Sequence, residues 1–368
     1  MININLFLMK LHLTNVTGAG ASQLLLSLLP AIEKNIKLKT KRIYLPNKGP
    51  LHDYKSVNGL SEVYVYNRFL PNIISRLLEC IFLSKKFDDL SPLLVLGDIP
   101  LRVKCSQTVF VQQSHLIKPI IFNWKLSYFK YIIARLIFRL NLRRVDSFIV
   151  QSNIMKEGLE TSYPSIKGKV HVVAQPAPIW LLNSGIKRVA RFINDKSNLK
   201  LVYPSLGYSH KNHKLLSKIN PNGDYPISDI ILTLDKHSNP APHFPWLKCV
   251  GFLSPEELKK TYSMVDGLIF LSKEESYGFP LVEAMFVGIP IICPDLPYAR
   301  NLCGDKAIYF DPDSPESLIF AIKKLKKMLD SGWWPSWDNH TKNIPNNWKI
   351  TAAQIIEITL NSSKIRKF

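Results

Sequence analysis

Short apolar runs alternate along the chain with longer segments in which apolar residues recur every three or four positions. Strands that alternate with helices in this way form parallel sheets covered by helices on both faces. The pattern therefore predicts an α/β fold of the doubly wound, Rossmann-like type. In the first half it predicts strands at Ile4–Met9, Arg42–Leu45, Glu62–Tyr66, Leu93–Leu96, Val109–Val111, Phe148–Val150 and Val170–Val173, and helices at Gln23–Ile32, Pro71–Leu83, Trp124–Leu142 and Asn153–Tyr163.

The alternation stops at the proline-rich segment Gln175–Pro178 and resumes at Leu199–Tyr203. A chain of 368 residues is also too long for one compact core. We therefore expect two Rossmann-like domains, residues 1–180 and 181–345, facing each other across a ligand cleft, and a helix in 346–368 that packs back on the first domain. The second series predicts strands at Ile230–Leu234, Gly267–Phe270, Pro290–Cys293 and Ala307–Phe310, and helices at Pro255–Ser263, from Pro280, at Ser314–Met328 and at Trp348–Asn361.

Charge adds a preference for anionic partners. The chain has 48 Lys and Arg against 28 Asp and Glu, a net charge of +20, and its first 180 residues hold 24 basic and 10 acidic side chains. A field of this sign attracts nucleic acid, acidic membrane surfaces or phosphorylated substrates. With 46% hydrophobic residues, the composition excludes a low-complexity or disordered chain.

The cysteines and the first residues bear on the compartment. Five scattered cysteines without a Cys-x-x-Cys pair indicate neither a zinc site nor a disulfide framework, which favours a reducing cytoplasm. The start, MININLFLMK, reads as a first strand rather than a signal peptide. We also expect no transmembrane helix, because the longest early stretch without charges is interrupted by polar residues and glycines.

The most informative stretch for chemistry is Gly267–Pro294, GLIFLSKEESYGFPLVEAMFVGIPIICP. A strand here leads into a loop with Glu275, and a helix is expected to begin at Pro280 with Glu283 in its first turn and to end at Gly288. Where a parallel strand ends and a helix begins, unpaired N–H groups attract phosphate. Carboxylates hold phosphate poorly but accept hydrogen bonds from hydroxyls. The pattern predicts an anion site flanked by two carboxylates that bind a sugar or ribose.

The pair Glu275 and Glu283, separated by seven residues within ESYGFPLVEAM and followed by GIPII, resembles the signature of the retaining GT-B glycosyltransferases of family GT4, the glycosyl transferases group 1. The resemblance implies transfer of a sugar from a GDP- or UDP-linked donor to a lipid-linked or saccharide acceptor in cell-surface polysaccharide synthesis. The acceptor would bind the first domain and the nucleotide sugar the second. No cofactor is implied, and no metal is expected, because a lysine supplies the cation.

The resemblance also assigns roles in the second domain. Glu283 would bind the ribose hydroxyls, Glu275 the hydroxyls of the donor sugar, and Lys211 the diphosphate. Many relatives have an arginine a few residues before that lysine, whereas this chain has Leu206 and Gly207. His210 and Asn212 are expected to compensate. Backbone N–H groups would face the donor at Gly278, Phe279 and Leu281.

In the first domain, the resemblance places Gly18 or Gly20 in a loop facing the donor and His115 near the reacting sugar. Plainer interpretations stay open for each single residue. Ser272-x-x-Glu275 also fits a helix capping box, Glu283 could offset a helix dipole, and Asn212 is a good helix N-cap. A glycine turn between a strand and a helix is common, and a lone histidine is often only a polar residue with a partner.

The segment between Asp98 and Asp146 contains nine Lys or Arg and no acid. Within it, Arg135 and Arg139 border a helical apolar stripe, and Arg143 is assigned with them to the membrane or acceptor side. Basic residues beside such a stripe suit an anionic bilayer, so we expect peripheral attachment at the inner face of the cell membrane. The alternative is a crossover helix with a solvated basic edge, and nucleic acid fits less well because no binding module accompanies the charge. The stripe consists of Phe129, Ile133, Leu136 and Leu140.

Two rival functions remain open. One keeps the fold but changes the reaction, as in a nucleotide-sugar epimerase or a sugar phosphorylase. The other is a non-catalytic protein that docks on a membrane or nucleic acid through its basic half. The intact glutamate pair argues against the docking function, and neither an epimerase base nor a phosphorylase lysine can be placed in the sequence.

Overall fold

The structure, a computed structural model, divides the chain into two compact units. Unit 1 comprises Met1–Pro176 and Pro345–Phe368, and unit 2 comprises Ala177–Ile344. Each unit is described by itself below. The structure describes residues 7–36, 38–57, 59, 61–67, 72–117, 126–189 and 197–365.

Unit 1 is built on a parallel sheet flanked by helices. Its strands follow the order β3-β2-β1-β4-β5-β6-β7, so the chain starts near the middle and runs first to one edge and then to the other. This order is that of a doubly wound fold. The strands are β1 (Phe7–His12), β2 (Leu38–Pro46), β3 (Glu62–Tyr66), β4 (Leu93–Val95), β5 (Gln107–Phe110), β6 (Ser147–Val150) and β7 (Val170–Val172); the helices are α1 (Ala19–Glu33), α2 (Asn72–Ile81), α3 (Leu126–Asn141) and α4 (Asn153–Ser162).

The core of unit 1 explains its continuous apolar runs. Every residue of β4, β5 and β6 is buried, as expected for central parallel strands covered on both faces. Helix α3 contributes Ile137 and Phe138 to the cluster that covers these strands. The strands and helices predicted for the first half therefore form, with boundaries displaced by a few residues.

Unit 1 also buries charged side chains, and each of them has partners. Lys10 Nζ in β1 donates to Phe87 O at 2.6 Å and pairs with Asp89 at 2.8 Å. At the end of the same strand, His12 Nε2 lies 2.8 Å from Glu79 Oε1 in α2. These contacts offset the desolvation of the charged groups.

Glu33, the last residue of α1, is a buried carboxylate with several hydrogen-bonding partners among the described residues. It accepts hydrogen bonds from Tyr54 Oη at 2.6 Å, Ser56 Oγ at 2.5 Å, Ser61 Oγ at 2.8 Å and the Val57 N–H at 3.2 Å. The loop that follows β2 is thereby fastened to the end of α1.

Unit 2 repeats the architecture with strand order β10-β9-β8-β11-β12-β13. The sequence pattern missed β10 and α8, because the strand has three residues in a proline-rich stretch and the helix is short. The strands are β8 (Leu199–Tyr203), β9 (Ile227–Leu232), β10 (Leu247–Cys249), β11 (Gly267–Ile269), β12 (Ile291–Pro294) and β13 (Ile308–Phe310); the helices are α5 (Ile179–Leu182), α6 (Pro255–Met264), α7 (Phe279–Val287), α8 (Pro297–Cys303), α9 (Pro315–Asp330) and α10 (Asp338–Thr341).

The C-terminal helix α11 (Trp348–Ile365) lies in unit 1, where it packs against α1, β5 and β6. Trp348 is buried at its start. Further along, the hydroxyls of Ser362 and Ser147 lie 2.6 Å apart, and Thr351 Oγ1 donates to Ala174 O at 3.3 Å. Helix α11 therefore completes one face of the unit 1 sheet.

Helix α7 differs from its predicted form at its start. It begins at Phe279, with Gly278 as N-cap at φ 91°, so Pro280 is its second residue. Glu283 is the fifth residue and lies in the second turn, which corrects the expectation that it lies in the first. Gly288 ends the helix at φ 86°, as predicted, because a left-handed C-cap favours glycine.

The described residues contain no helix long and apolar enough to cross a membrane.

Candidate functional site

Lys211 lies in a short 3-10 turn, Ser209–Lys211, that follows strand β8. The hydroxyl of Tyr203 donates to the backbone oxygen of Lys211 at 2.9 Å and ties the turn to the sheet. The Lys211 Nζ pairs with Glu275 Oε1 at 2.5 Å and lies 5.8 Å from the ring centroid of Phe270. With 15% of its side chain exposed, this cation is largely shielded from water and is neutralised by one internal carboxylate.

Glu275 lies in the loop between β11 and α7, and 12% of its side chain is exposed. The Lys273 N–H donates to His210 O at 2.8 Å, which joins this loop to the turn that carries Lys211. Ser272 Oγ donates to backbone oxygens in the same region, and helix α7 begins further on. The capping-box alternative for Ser272 and Glu275 is therefore wrong, and the structure brings Glu275 together with Lys211.

Glu283 is 4% exposed and has one hydrogen-bonding partner among the described residues. The hydroxyl of Tyr262, at a buried position of α6, donates to Glu283 Oε2 at 2.7 Å. No described residue donates to the other oxygen, Oε1. Burial raises the pKa of Glu283 to about 7, and the hydrogen bond from Tyr262 acts in the opposite direction. The carboxylate thus retains hydrogen-bonding capacity that the fold does not use.

The N-terminus of α7 presents backbone donors beside these carboxylates. In the described part of the chain, the N–H groups of Gly278 and Phe279 have no acceptor, and Pro280 has no N–H to give. The Leu281 N–H, predicted to face a donor, already donates to Gly278 O at 2.9 Å within the first turn. Free amides and the helix dipole make this end favourable for an anion.

Asn212 and His210 flank Lys211. Asn212 adopts a left-handed conformation with φ 57°, and its Nδ2 donates to Pro312 O at 2.9 Å. Asn212 stands at the N-cap position of the 3-10 helix His213–Lys218, but its side chain makes no capping hydrogen bond there. The His210 ring stacks on Tyr208 with centroids 5.6 Å apart. Asn212 therefore fastens the loop, and His210 is the nearby side chain with which an anion could interact.

In unit 1, Gly18 is the N-cap of α1 and Gly20 lies in its first turn. Both are exposed, Gly18 has φ −80°, and a Cβ at either position would meet no atom within 4 Å. Neither strain nor crowding requires glycine here. The space outside this turn is open to a ligand, but the fold would also accept alanine.

His115 lies in a 3-10 turn after β5 and is partly buried. Its ring packs against Tyr131 with centroids 4.3 Å apart. Its backbone oxygen accepts a hydrogen bond from Arg135 Nε at 2.8 Å. The end of β5 thus positions His115 at the edge where the strands of this sheet end.

The basic helix α3 has two different apolar faces. Leu136 and Leu140 are 54% and 60% exposed, whereas Ile133 packs against the core. The predicted stripe is therefore split between solvent and sheet. The face with Ile133 packs as in a crossover helix, and membrane binding through the exposed leucines stays a prediction. Residues 118–125 and the side chain of Phe129 lie outside the described residues.

The three arginines of this segment also differ. Arg139 and Arg143 are exposed, and the Arg139 guanidinium lies 5.7 Å from the centroid of the Tyr163 ring. Arg135 is partly buried and binds the turn that contains His115. Arg135 therefore has a structural contact within unit 1, and the membrane-side role predicted for the three arginines stays a prediction.

Sequence reasoning missed Tyr262 and Tyr203, which hold Glu283 and Lys211. Tyr262 falls on the buried face of α6, four residues after Leu258, a spacing that indicates core and carries no sign of a site. Tyr203 ends a predicted strand, where its hydroxyl could not be assigned a partner. Only the fold places these hydroxyls against the charged residues.

Unit 2 thus collects a cation, two carboxylates and free amides at the edge where its parallel strands end. In doubly wound folds, this is the edge that binds ligands. The cation and amides suit phosphate, and the carboxylates suit hydroxyls. Among the described residues, no group of three or more His, Cys, Asp or Glu could hold a metal ion. The fold and site define a Rossmann-like protein suited to a phosphorylated, hydroxyl-rich ligand.

Comparison with known proteins agrees with this class. The model of the family "Glycosyl transferases group 1" matches residues 247–331, which include both glutamates. The chain is 25% identical over 239 residues to O-antigen chain mannosyltransferase RfbU of Salmonella typhimurium, covering 61% of this chain and 62% of the relative. It is also 25% identical over 118 residues to O-antigen chain mannosyltransferase B of Escherichia coli, covering 28% and 30%. The matches thus span less than two thirds of these relatives. They confirm the resemblance to group 1 glycosyltransferases.

Solved structures show the fold. Sucrose-phosphate synthase from Thermosynechococcus elongatus superposes with a TM-score of 0.64 at 12% identity, covering 98% of both chains. WaaG, a glycosyltransferase involved in lipopolysaccharide biosynthesis, superposes with a TM-score of 0.63 at 11% identity, covering 96% of this chain and all of the other. The predicted fold class, GT-B with two Rossmann-like domains, is therefore confirmed.

Proposed function

We propose that this protein is a retaining glycosyltransferase that uses a nucleoside diphosphate sugar. The observation that carries the proposal is the contact between Lys211 and Glu275, with the under-partnered Glu283 eight residues further along in α7. A phosphate and a sugar together supply what these groups lack: an anion for the lysine and amides, and hydroxyls for the carboxylates.

Binding of the donor requires an exchange of partners. The diphosphate takes Lys211 Nζ and the free amides of Gly278 and Phe279, which releases Glu275 to accept hydrogen bonds from the sugar hydroxyls. Glu283 Oε1 accepts from the ribose hydroxyls. Lys211 is only 15% exposed and is therefore already largely desolvated. Donor binding exchanges its ionic partner and avoids the cost of removing a solvated lysine from water.

The chemistry follows from where charge develops. As the glycosidic bond to phosphate breaks, negative charge grows on the leaving diphosphate, and Lys211 and the two amides stabilise it. The acceptor hydroxyl attacks from the face that the phosphate leaves and passes its proton to the departing phosphate oxygen, which retains the anomeric configuration. We propose that the reaction needs no metal ion, because Lys211 supplies the cation.

The names of the relatives support a proposal for the sugar and the acceptor. The curated proteins that match are O-antigen chain or serotype-specific mannosyltransferases. We therefore propose that this protein transfers a hexose, with mannose the first to test, to a lipid-linked or saccharide acceptor in cell-surface polysaccharide synthesis.

We further propose that the protein works in the cytoplasm against the inner face of the cell membrane. Leu136 and Leu140 are exposed on α3, and the positive charges of Arg139 and Arg143 lie on the same segment. Exposed leucines beside arginines suit the interface of an anionic bilayer. Such attachment would bring a lipid-linked acceptor to the enzyme.

The proposal is tested by nucleotide binding and by transfer. Calorimetry should show GDP or UDP binding to the wild type, and stabilisation at one hundred times Kd should be about 2.7 kcal/mol. Lys211→Ala should weaken binding at least tenfold. Mass spectrometry of reactions with GDP- and UDP-sugars then identifies the sugar transferred.

Lys326→Ala is a matched control. The Lys326 side chain is 14% exposed and forms an ion pair with Asp330 at 2.5 Å, much like Lys211 with Glu275. It lines a cavity of about 440 Å³, with Lys323 and Lys327, at the opposite edge of the unit 2 sheet. Wild-type affinity is expected for this variant. If Lys326→Ala loses binding and Lys211→Ala retains it, the nucleotide binds at the edge opposite to Lys211, and the proposed site is refuted.

A further inference from the structure

Glu283 and Tyr262 form a buried pair that is joined by a hydrogen bond as well as by packing. The Tyr262 side chain is fully buried, and its hydroxyl lies 2.7 Å from Glu283 Oε2. We infer that Tyr262 is a positioning residue that keeps Glu283 ionised and turns its Oε1 toward the ligand hydroxyls. The inference rests on the proposed function and adds a residue to its site.

The direction of the hydrogen bond supports this role. A tyrosine hydroxyl that donates to a carboxylate stabilises the ionised form, because a protonated carboxyl is a weaker acceptor. Burial of Tyr262 raises the pKa of its own hydroxyl well above the usual value, so it remains a donor at any working pH. By occupying Oε2, Tyr262 leaves Oε1 for an incoming hydroxyl.

The two elements that carry the pair are fixed to each other by Arg188. Its Nη2 donates to Val265 O at 3.0 Å and its Nη1 to Ser263 O, at the end of α6. Its backbone N–H donates to Val287 O, at the end of α7, at 2.7 Å. The separation between the Tyr262 hydroxyl and Glu283 is thus set by backbone contacts beyond the pair itself.

Ionisation of Glu283 depends on this one neighbour. Burial raises the pKa of Glu283 to about 7, and Tyr262 lowers it. In the described residues, β11, β12, α8 and α10 pack against α7, and α6 contacts it through Tyr262. None of them offers another titratable side chain that shifts the pKa of Glu283. Loss of the Tyr262 hydroxyl should therefore move the Glu283 titration to higher pH.

The experiment compares the wild type with Tyr262→Phe between pH 5.5 and 9. Calorimetry with GDP and with UDP gives affinity as a function of pH. The side-chain carboxyl signal in ¹³C-glutamate-labelled, ligand-free protein gives the ionisation of Glu283, and Glu283→Gln identifies that signal by its loss. Tyr163→Phe is the matched control, because Tyr163 is also buried and donates to a backbone oxygen, Leu116 O, in unit 1.

The wild type should lose affinity as the pH falls through about 7. In Tyr262→Phe, both the binding midpoint and the carboxyl midpoint should rise by about one pH unit or more, and affinity should recover at pH 9. Tyr163→Phe should match the wild type. A purely structural role would lower affinity equally at every pH, and unmoved midpoints would overturn the inference.

Two further outcomes separate the inference from the function it rests on. If the wild type binds neither GDP nor UDP at any pH, the proposed function fails, and the ligand role of Tyr262 fails with it. If it binds them but Tyr262→Phe keeps the wild-type midpoint, only the inference fails. Should Tyr262→Phe not fold, Glu283→Asp draws the carboxylate away from the hydroxyl and should raise the midpoint in the same direction.

Discussion

Glu33 in unit 1 and Glu283 in unit 2 are equally buried, each 4% exposed, yet their surroundings differ. Glu33 accepts hydrogen bonds from three hydroxyls and one backbone N–H. Glu283 accepts one, from Tyr262. Burying a carboxylate is costly unless donors replace water. The fold compensates this cost for Glu33 and leaves much of it for Glu283.

The buried lysines show the same contrast. In unit 1, Lys10 has a backbone oxygen and Asp89 as partners, and 1% of its side chain is exposed. In unit 2, Lys211 has one side-chain partner, Glu275, and is more exposed. Fully partnered charges stabilise the fold, whereas under-partnered charges at the edge where strands end are available to a ligand.

The largest effect should come from Glu33→Gln. An amide accepts fewer hydrogen bonds than a carboxylate and turns N–H groups toward donors, so buried groups lose their partners. We expect the free energy of unfolding to fall by about 4 kcal/mol, measured by urea denaturation. Glu62→Gln, which removes an exposed partner of Arg42, should cost less than about 1 kcal/mol. If Glu33→Gln leaves the free energy of unfolding unchanged, the proposed difference between Glu33 and Glu283 is wrong.

Glu283→Gln should change the free energy of unfolding in the opposite direction. Because the folded-state pKa of Glu283 is raised to about 7, the folded protein binds a proton that the unfolded chain has lost, between pH 4.5 and 7. Wild-type stability therefore falls as pH rises through this interval. At pH 8, ligand-free Glu283→Gln should be more stable than the wild type by up to about 3 kcal/mol, and at pH 4 about equally stable. Denaturation at both pH values tests this, and destabilisation at pH 8 would contradict it.

Glu275→Gln should separate turnover from nucleotide binding. The variant lacks the carboxylate that is proposed to bind the sugar hydroxyls, but it also releases Lys211 from its ion pair. We expect kcat to drop about 100-fold, equivalent to about 2.7 kcal/mol, while the affinity for GDP or UDP stays equal or becomes tighter. Steady-state kinetics and calorimetry measure the two effects. Glu256→Gln, at an exposed position of α6, is the control, and equal losses in both quantities would be inconsistent with the assigned role.

The smallest effect concerns the surface of unit 1. Arg143→Gln removes one exposed charge and should weaken binding to vesicles with anionic lipid about fivefold, which corresponds to about 1 kcal/mol. Sedimentation with vesicles measures it. Arg300→Gln removes a charge of the same sign from unit 2, where Asp295 partners it, and should change little. Equal binding of Arg143→Gln and the wild type would end the membrane proposal.

The sequence predicts a helix or strand well when the element is long enough to carry a clear hydrophobic pattern. Long periodic segments such as α3 and α9, and buried runs such as β8, lie close to their predicted bounds because local pattern and burial agree. The three-residue strand β10 was missed, since so short a run carries too little pattern to stand out. The start of α7 was displaced by one residue, because Gly278 is the N-cap and the helix begins at Phe279 rather than at Pro280.

The site divides in the same way. The sequence indicated Glu275, Glu283 and Lys211 through motif and context, but not that Lys211 and Glu275 are paired 2.5 Å apart. It could not assign Tyr262, because a tyrosine on the apolar face of a helix reads as core and its partner is 21 residues away. Partners of this kind depend on tertiary structure, which no local pattern reports.

We propose that the edge of unit 2 with Lys211, Glu275 and Glu283 holds a nucleoside diphosphate sugar. The decisive measurement is a crystal structure of the complex with whichever of GDP or UDP binds. We expect ribose hydroxyls within about 3 Å of Glu283 Oε1 and phosphate oxygens as close to Lys211 Nζ. Nucleotide bound in the cavity beside Lys326, or with its ribose away from Glu283, would contradict it.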